Sequence, residues 1–502
     1  MSYTTKVSLI GLIVYSITTT MLFAQVPCIN GKSGIYPCKD VTFLSNVTAQ
    51  QLLAVGDVND IWGWVDPETQ KEYAIVGLNN GTTFVDVSDP LNPIVLGLLP
   101  EHHAASTGRA ARSNSIWRDI KVYKNHAFVV SEDADHGMQV FDLTKLRNVA
   151  NPPEVFPETA HYAGISNAHN IVINEATGFA YAVGATKGGN CRGGELHIID
   201  INNPVEPVYA GCFDSNSYTH DAQCIIYDGP DTDHTGKEIC FNANEDRIKI
   251  VDVTDKANPT VVSTLFYSGA RYTHQGWLTD DRNYFISNDE LDETNNDTNT
   301  KTFVWDVQDL DKPVLISTYT HEGNAIDHNL YCKDTLIYQS NYTSGMRILN
   351  LKDVTTRGLN EVAFFDTYPT SNGPNFNGTW SNYPFLPSGN IIVSDINSGL
   401  FVLKYDPNEQ EVIASIDNNL ELVNIYPNPA KNNLNLQFVS NSTLPTQIKI
   451  YDLSGKLKLT SNVTSDNQKE ISINTTSLKK GLYHIRIVYG NQSISKKIVI
   501  RY

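Results

Sequence analysis

One short apolar phrase recurs seven times along the chain, about every 53 residues, and each copy ends near an acidic residue. The copies occupy residues 82–97, 138–156, 196–212, 248–264, 302–318, 346–354 and 400–407. A period of this length is typical of proteins that stack one supersecondary unit many times. Because apolar, β-branched runs alternate with Asp, Asn and Pro turns, each unit is predicted to contain four β-strands. The repeat therefore predicts an all-β fold, a seven-bladed β-propeller.

A second phrase precedes each copy and places a histidine or tryptophan at the start of the first strand of each unit. These seven residues are Trp62, Trp117, His169, His220, His274, His328 and Trp380. The first strand of each propeller blade lines the central channel. We therefore expect these side chains to form a ring at one mouth of that channel.

The last unit ends after its third strand, and an unassigned strand at 41–48 lies upstream of the first unit. Because open sheet edges invite aggregation, a propeller has to close its ring. We expect 41–48 to supply the outer strand of the last blade, within a propeller spanning 25–408. Residues 409–420 are polar and predict a linker, and 421–502 predict a separate small β-sandwich.

Residues 1–24 have the pattern of an export signal: Lys6 precedes the apolar segment 7–23, and Ala24 offers a small residue for cleavage. No other segment approaches the length of a transmembrane helix. All seven cysteines follow the signal, as expected in an oxidising compartment. Turn symmetry and spacing predict three disulfides: Cys28–Cys38, Cys191–Cys212 and Cys224–Cys240. Cys332 is then left unpaired.

Charge is distributed unevenly along the chain, whose net charge is −18. From position 418 onward, 11 basic and 4 acidic residues give +7, so the remainder carries −25. Such asymmetry supports separate units with separate tasks. An acidic body excludes nucleic acid as a partner, because phosphate binding needs clustered Lys and Arg. Ordinary extracellular solubility also accounts for the acidity.

The C-terminal segment resembles the type A sorting domain of the type IX secretion system of Bacteroidetes. The matching phrases are Ile425–Pro429 (IYPNP), Ile450–Gly455 (IYDLSG), Leu478–Tyr483 (LKKGLY) and the basic pair Lys496-Lys497. This resemblance implies contact with the secretion machinery through 421–502, passage across the outer membrane, and release or attachment at the surface of a Gram-negative bacterium. An ordinary β-sandwich binding module is the alternative interpretation.

The body is similar to LVIVD-repeat proteins, and more narrowly to the choice-of-anchor B family. The similarity covers about residues 28–405 and rests on five phrases: 34–38 (GIYPC), 59–64 (NDIWGW), 79–86 (NNGTTFVD), 117–123 (WRDIKVY) and 136–142 (HGMQVFD). The family implies a surface propeller with varying C-terminal anchors. It implies no particular activity.

The four histidines of the predicted ring are candidate metal ligands. Neutral imidazole binds zinc, copper, iron or manganese, and three neighbours could share one ion with an open coordination position. Trp62, Trp117, Trp380, Gln275 and Asn329 are candidate ligand-binding residues, and Asp221 is a candidate catalytic base. The alternative is that the histidines only line the channel and hydrogen-bond neighbouring strands or water.

Acidic loops are predicted to emerge at the same mouth, at 131–136, 244–246, 288–293 and 394–395. Their oxygen ligands would suit calcium, although solvated turns have the same composition. Asp228, Asp231, Asp233 and Glu238 resemble a calcium loop by spacing alone. No phosphate-binding glycine loop, nucleophile elbow or His-Glu zinc motif occurs in the sequence.

Three functions are compatible with this pattern. The first is a secreted or surface scaffold that binds an extracellular protein or glycan. The second is a metal-dependent extracellular lyase or hydrolase built on the histidine ring. The third is a structural component of the cell surface. Stoichiometric transition metal is the property that separates the second from the others.

Overall fold

The computed structural model describes residues 25–102, 115–185, 191, 194–352, 354–356, 358–407, 423–438, 445–452, 457–463, 470–489 and 492–501. The predicted signal and linker lie outside these residues. Within them the regular structure is almost entirely β-strand, with one short α-helix at Asp292–Asn296 and 3-10 helices at Leu143–Asn148 and Thr232–His234. In the described part of the chain, no helix is long and apolar enough to cross a membrane.

Seven sheets account for the described strands between residues 32 and 405. Sheet 1 contains Val58–Val65, Glu72–Leu78, Gly81–Asp86, Ile94–Pro100 and Glu154–Val155. Sheet 2 contains Arg118–Tyr123, His126–Ser131, Met138–Asp142 and Ala160–Tyr162. Sheet 3 contains Asn170–Asn174, Phe179–Val183, Leu196–Asp200 and Val208–Phe213. Sheet 4 contains Asp221–Ile226, Glu238–Ala243, Ile248–Asp252 and Thr260–Leu265.

Sheet 5 contains Thr273–Leu278, Tyr284–Asp289, Lys301–Asp306 and Val314–Thr320. Sheet 6 contains Leu330–Lys333, Leu336–Ser340, Met346–Asn350 and Asn360–Phe365, extended by Tyr36–Lys39 and Lys32–Ser33. Sheet 7 contains Thr379–Tyr383, Asn390–Asp395, Gly399–Tyr405 and Val41–Val47. Each sheet is an antiparallel meander, apart from the parallel addition of Glu154–Val155 to sheet 1.

The first strands of the seven sheets contact one another in cyclic order, and the first strand of sheet 7 contacts that of sheet 1. The sheets therefore form a closed ring around a channel, and the predicted all-β propeller fold is confirmed. Apolar side chains fill the space between neighbouring sheets. Phe84 of sheet 1 stacks on Phe141 of sheet 2 at 4.5 Å, and Phe241 of sheet 4 lies 5.2 Å from Phe285 of sheet 5.

The ring is closed by strands from both ends of the propeller. Val41–Val47 pairs antiparallel with Gly399–Tyr405, with Val41 opposite Tyr405 and Val47 opposite Leu400. Rings from both segments share one aromatic cluster, in which Phe43 and Phe401 are 6.2 Å apart. This pairing removes the edge that an unpaired last strand would expose.

The three predicted disulfides are present: Cys28–Cys38, Cys191–Cys212 and Cys224–Cys240. The last pair links directly opposed residues of the first two strands of sheet 4. Cys332 is a buried free thiol, and burial raises its pKa well above the usual range.

The C-terminal unit consists of two sheets. One contains Val423–Tyr426, Asn433–Phe438 and Glu470–Asn474, and the other contains Leu457–Asn462, Gln447–Tyr451, Gly481–Tyr489 and Gln492–Ile500. Alternate residues of both sheets, such as Leu434, Leu436, Ile448 and Ile450, share one buried core. This arrangement is a small β-sandwich, as predicted.

Candidate functional site

The four histidines lie side by side at one mouth of the channel. Their ring centroids are 4.2 Å apart between His169 and His220, 4.2 Å between His220 and His274, and 4.3 Å between His274 and His328. Trp380 continues the row, 4.7 Å from His328. The sequence produces this row because each residue precedes or begins the first strand of one of five consecutive sheets.

Three of these imidazoles are held through Nδ1. His220 Nδ1 is 2.9 Å from the carbonyl oxygen of His274, and His328 Nδ1 is 2.6 Å from that of Trp380. Since a carbonyl can only accept, Nδ1 carries the proton in both rings. His169 Nδ1 lies 2.6 Å from a carboxylate oxygen of Glu132, which orients it in the same way. In the neutral rings the Nε2 lone pair is left available for a ligand.

Glu290 places a carboxylate against the row. Its oxygens are 3.8 Å from Nε2 of His274 and 3.8 Å from Nε2 of His328. Tyr342 donates a hydrogen bond to Glu290 at 2.8 Å, which fixes the carboxylate. One ligand atom each from His220, His274 and Glu290 lies within 4.8 Å of the others, close enough to share one ion. His274 is distinctive because neither of its ring nitrogens has a hydrogen-bond partner among the described residues.

Burial keeps His220, His274 and His328 neutral. Desolvation, reinforced by the neighbouring histidines, lowers the pKa of His220 and of His274 well below the usual range. Desolvation lowers the pKa of His328 to about 3. Desolvation also raises the pKa of Glu290 to about 7. Neutral imidazole is the form that binds metal ions, so the row is ready to act as a ligand set at neutral pH.

A cavity of about 450 Å³ opens in front of the row. Tyr218, Tyr272, Tyr342 and Trp117 contribute to its walls, together with Glu132 and other residues of the mouth. Aromatic walls with a few converging polar groups are typical of small-molecule sites.

The predicted ring residues divide between two places. Trp117 and Trp380 line the cavity with the histidines, and Trp117 is 41% exposed. Trp62 does not line it: its ring packs on Tyr331 and Tyr383, at 5.8 and 4.9 Å, further along the channel. The prediction of one ring containing all three tryptophans was therefore wrong for Trp62.

The reason is the register of the first strands. Asp60, Asp119 and Asp221 each accept a hydrogen bond from the backbone N–H of the next residue, so they occupy equivalent positions. The residues before them are Asn59, Arg118 and His220, which makes Asn59 and Arg118 the counterparts of the histidines. Aligning the repeats on tryptophan placed sheet 1 three residues out of register.

Gln275, Asn329 and Asp221 follow their histidines and lie deeper in the channel. Gln275 Oε1 accepts from the backbone N–H of Leu330 at 2.8 Å. Asn329 Nδ2 donates to the Ser381 hydroxyl at 3.1 Å. Both therefore join neighbouring sheets rather than the histidine cavity.

Asp221 and Gln275 line a second cavity, of about 260 Å³, instead of the histidine cavity. Desolvation raises the pKa of Asp221 to about 7; Lys121 opposes this rise and Asp119 adds to it. The predicted catalytic base thus belongs to a different cavity from the predicted metal ligands.

Sequence reasoning missed Glu290 and the three tyrosines as members of the site. Glu132 and Glu290 belong to the acidic loops predicted at this mouth, but their spacing did not single out one carboxylate. Tyr218 and Tyr272 stand two positions before a histidine in a repeated Tyr-Thr-His phrase. That repetition was the available signal.

The calcium-like set does not converge on one centre. Asp228 pairs with Arg282 at 3.1 Å, whereas Glu238 accepts hydrogen bonds from Tyr181 at 2.6 Å and Asn174 at 2.8 Å. Asp231 instead approaches His234 and Asp311. The interpretation of the four acids as one calcium loop was wrong, because they face different neighbours.

The fold and the two-part organisation define a β-propeller followed by a β-sandwich export module. The model of the secretion system C-terminal sorting domain matches residues 424–501, and the LVIVD repeat model matches 70–98 and 191–215. The chain therefore contains LVIVD repeats in the propeller and a secretion-system sorting domain at 424–501. It is therefore exported by the type IX system and is secreted or held on the outer surface. No curated protein matches it.

Solved structures similar to this chain are distant in sequence. PorZ, a surface component of the type-IX secretion system of Porphyromonas gingivalis, is 12% identical with a TM-score of 0.39, over 89% of this chain and 58% of PorZ. The extracellular domain of the putative one component system BT4673 from B. thetaiotaomicron is 12% identical with a TM-score of 0.43, over 91% and 58%. The Cps50 (Swd1) β-propeller domain of Myceliophteria thermophila is 9% identical with a TM-score of 0.44, over 72% and 98%.

Proposed function

We propose that this protein is a surface or secreted receptor that binds an extracellular ligand through a transition-metal ion held at the histidine mouth. The observation that supports it most is the orientation of the imidazoles. His169, His220 and His328 each donate a hydrogen bond from Nδ1 to an acceptor, which leaves the lone pair of Nε2 available to coordinate a metal ion. Metal-ligating imidazoles are usually held in this way, with the other ring nitrogen bonded to a carbonyl or a carboxylate.

The ligand set has the chemistry of a transition-metal site with an open position. His220, His274 and Glu290 supply two imidazole nitrogens and one carboxylate oxygen, and His328 is adjacent. Two histidines and a carboxylate are a common set for zinc and for non-haem iron, and they leave positions for water or an incoming ligand. An ion would also give one ring nitrogen of His274 a partner that it lacks.

The part of the extracellular ligand that enters the cavity has to be small. A cavity of about 450 Å³ accommodates a sugar unit or a peptide side chain rather than a folded surface. Tyr218, Tyr272 and Tyr342 line this space together with Glu132 and Glu290, so a ligand with polar groups is favoured over an aliphatic one. A protruding end of a glycan or an extracellular protein would meet these requirements.

Metal-dependent lyase or hydrolase chemistry is the second candidate, favoured by one observation. Glu290 is the carboxylate beside the histidine nitrogens, at 3.8 Å from two of them, so it stands where a base would act on a metal-bound ligand. In this version Glu290 takes the role that the sequence suggested for Asp221.

Metal analysis of the mature chain tests the proposal. The protein is purified without affinity tag or chelator, dialysed against zinc, cobalt, copper, iron or manganese, and measured by mass spectrometry for bound metal. About one equivalent is expected for a single site. The variant His220→Ala/His274→Ala should bind none, whereas the control His126→Ala, which removes a histidine remote from the mouth, should bind as the wild type does. Absence of metal from the wild type under all five conditions overturns the proposal.

A further inference from the structure

The second cavity lies beyond the histidine row along the channel and is lined by a different set of side chains. It has a volume of about 260 Å³. Trp62, Trp277 and Tyr331 lie on its walls, with Asp221, Lys121 and the amides of Gln223 and Gln275. The rim includes Glu175, whose side chain is exposed. The site proposed for metal uses none of these residues.

The three aromatic rings stand as perpendicular walls. Tyr331 meets Trp62 at 5.8 Å with an interplanar angle of 70°, and it meets Trp277 at 5.1 Å with an angle of 73°. Trp277 and Trp62 thus flank one central ring. The face of an aromatic ring carries negative potential, and aromatic walls around a cavity are the surroundings that receive substituted ammonium groups.

Acidic groups outnumber basic groups around this space. Lys121 donates to Asp119 at 2.6 Å, lies 4.0 Å from Asp60, and rests over the Trp62 ring at 4.5 Å from its centroid. The ammonium of Lys121 is therefore engaged by two carboxyl groups and an aromatic face. This contact places the chain's own cation over the Trp62 ring.

Asp221 is the acid that remains without a close cation. Its carboxylate accepts a hydrogen bond from the backbone N–H of Ala222 at 2.7 Å, and no cationic side chain of the described chain pairs with it at ion-pair distance. A partly buried carboxylate gains most from a partner of opposite charge. A cationic ligand in the cavity would supply this partner.

We propose that the second cavity binds a small organic cation, a ligand with an alkylated ammonium group that pairs with Asp221 and packs against Trp277 and Tyr331. The volume suits a ligand of about ten non-hydrogen atoms. Neutral sugars also stack on tryptophan, but they would leave the excess negative charge of the cavity uncompensated. The inference is independent of the metal proposal, because the two cavities share no lining residue.

Choline and its uncharged isostere test this directly. The mature protein is titrated calorimetrically at about pH 8, where carboxyl groups are normally ionised. The titrants are choline, 3,3-dimethyl-1-butanol and glucose. The butanol has the same shape as choline with carbon in place of nitrogen, so it isolates the contribution of charge. Choline is expected to bind at least about tenfold more tightly than the butanol.

Variants distinguish the site from other acidic surfaces. Asp221→Asn retains the acceptor for Ala222 and is expected to weaken choline binding at least about tenfold. Trp277→Leu should weaken it as well, while His274→Leu in the other cavity should leave it unchanged. If Trp277→Leu does not fold, Asp221→Asn decides the matter alone.

Three results would overturn the proposal. One is equal affinity for choline and the butanol, which would make the cavity simply apolar. Another is binding of glucose in preference to choline. The third is choline binding that Asp221→Asn leaves intact, or that cannot be detected up to about 10 mM in either protein, because both show that Asp221 does not create a cation site.

Discussion

Replacing His274 by leucine should stabilise the protein in the absence of metal. The His274 side chain is 1% exposed, and neither ring nitrogen has a partner in the described structure. An unpaired buried polar group costs about 1–3 kcal/mol, and leucine has nearly the volume of histidine without polar atoms. The free energy of unfolding of His274→Leu should therefore exceed that of the wild type by about 1–3 kcal/mol.

Calorimetry in the presence of a chelator measures this difference. For a propeller of this size the melting temperature should rise by about 1–4 °C. His220→Leu is the matched control, because His220 donates from Nδ1 to the carbonyl of His274 at 2.9 Å. Loss of that bond should lower the stability by about 1 kcal/mol.

Zinc should reverse the order of wild type and His274→Leu. A ligand at 1,000 times its dissociation constant adds about 4.1 kcal/mol to a protein that binds it only when folded, which exceeds the advantage of the variant. The wild type should gain this increment and the variant should not. If His274→Leu is less stable than the wild type without metal, the imidazole is already satisfied in the folded protein, and the argument from its unpaired nitrogens fails.

Three further predictions concern the scaffold. Hydrogen bonds from Arg147 lower the pKa of Asp66, and desolvation opposes this effect only in part. The Asp66 carboxylate therefore contributes stability that is present above about pH 4 and is lost as the pH falls further. In urea unfolding, the difference in stability between wild type and Asp66→Asn should shrink over that range. Replacing Cys224 and Cys240 by alanine removes a disulfide between residues 16 positions apart and should lower the free energy of unfolding by about 3 kcal/mol. The shift in the denaturation midpoint measures this loss, and an unchanged midpoint would contradict the prediction. Phe401→Ala removes a fully buried ring that meets Tyr36 edge-on at 5.4 Å and should cost about 3–5 kcal/mol in the same assay; a loss below 1 kcal/mol, about the cost of a surface change, would refute the role given to this cluster.

Much of the scaffold was predictable because it follows from local patterns. The alternation of apolar strands and turns fixes four strands per repeat, and the symmetric turn between Cys224 and Cys240 brings these cysteines opposite each other. The sorting domain was recognisable from its phrases in order at the chain end. The row of four histidines also followed from the repeat, since equal spacing puts equal residues at equal positions in neighbouring sheets.

The register of the irregular repeats was not predictable in the same way. In sheets 1 and 2 tryptophans stand near the position of the histidines in the sequence, and alignment on them misplaced Trp62. Only the strand pairing reveals that Asn59 and Arg118 are the counterparts. When the period of a repeat varies, its copies can be aligned a few residues apart and still look similar in sequence. A β-strand does not allow such a shift, because a change of one residue in register turns every side chain to the other face of the sheet.

By itself, the sequence determined the class of fold, the cysteine pairs and the export route. The tertiary structure decided which polar groups meet. Glu290 follows a strand of sheet 5 and is 38 positions from His328, yet the packing of sheet 6 against sheet 5 brings its carboxylate to 3.8 Å from that imidazole. Asp221 adjoins His220 in the chain but lines the other cavity, together with Trp62 from sheet 1. Periodicity places each residue along its own strand, but contacts between side chains depend on how the seven sheets pack around the channel, which no local pattern encodes.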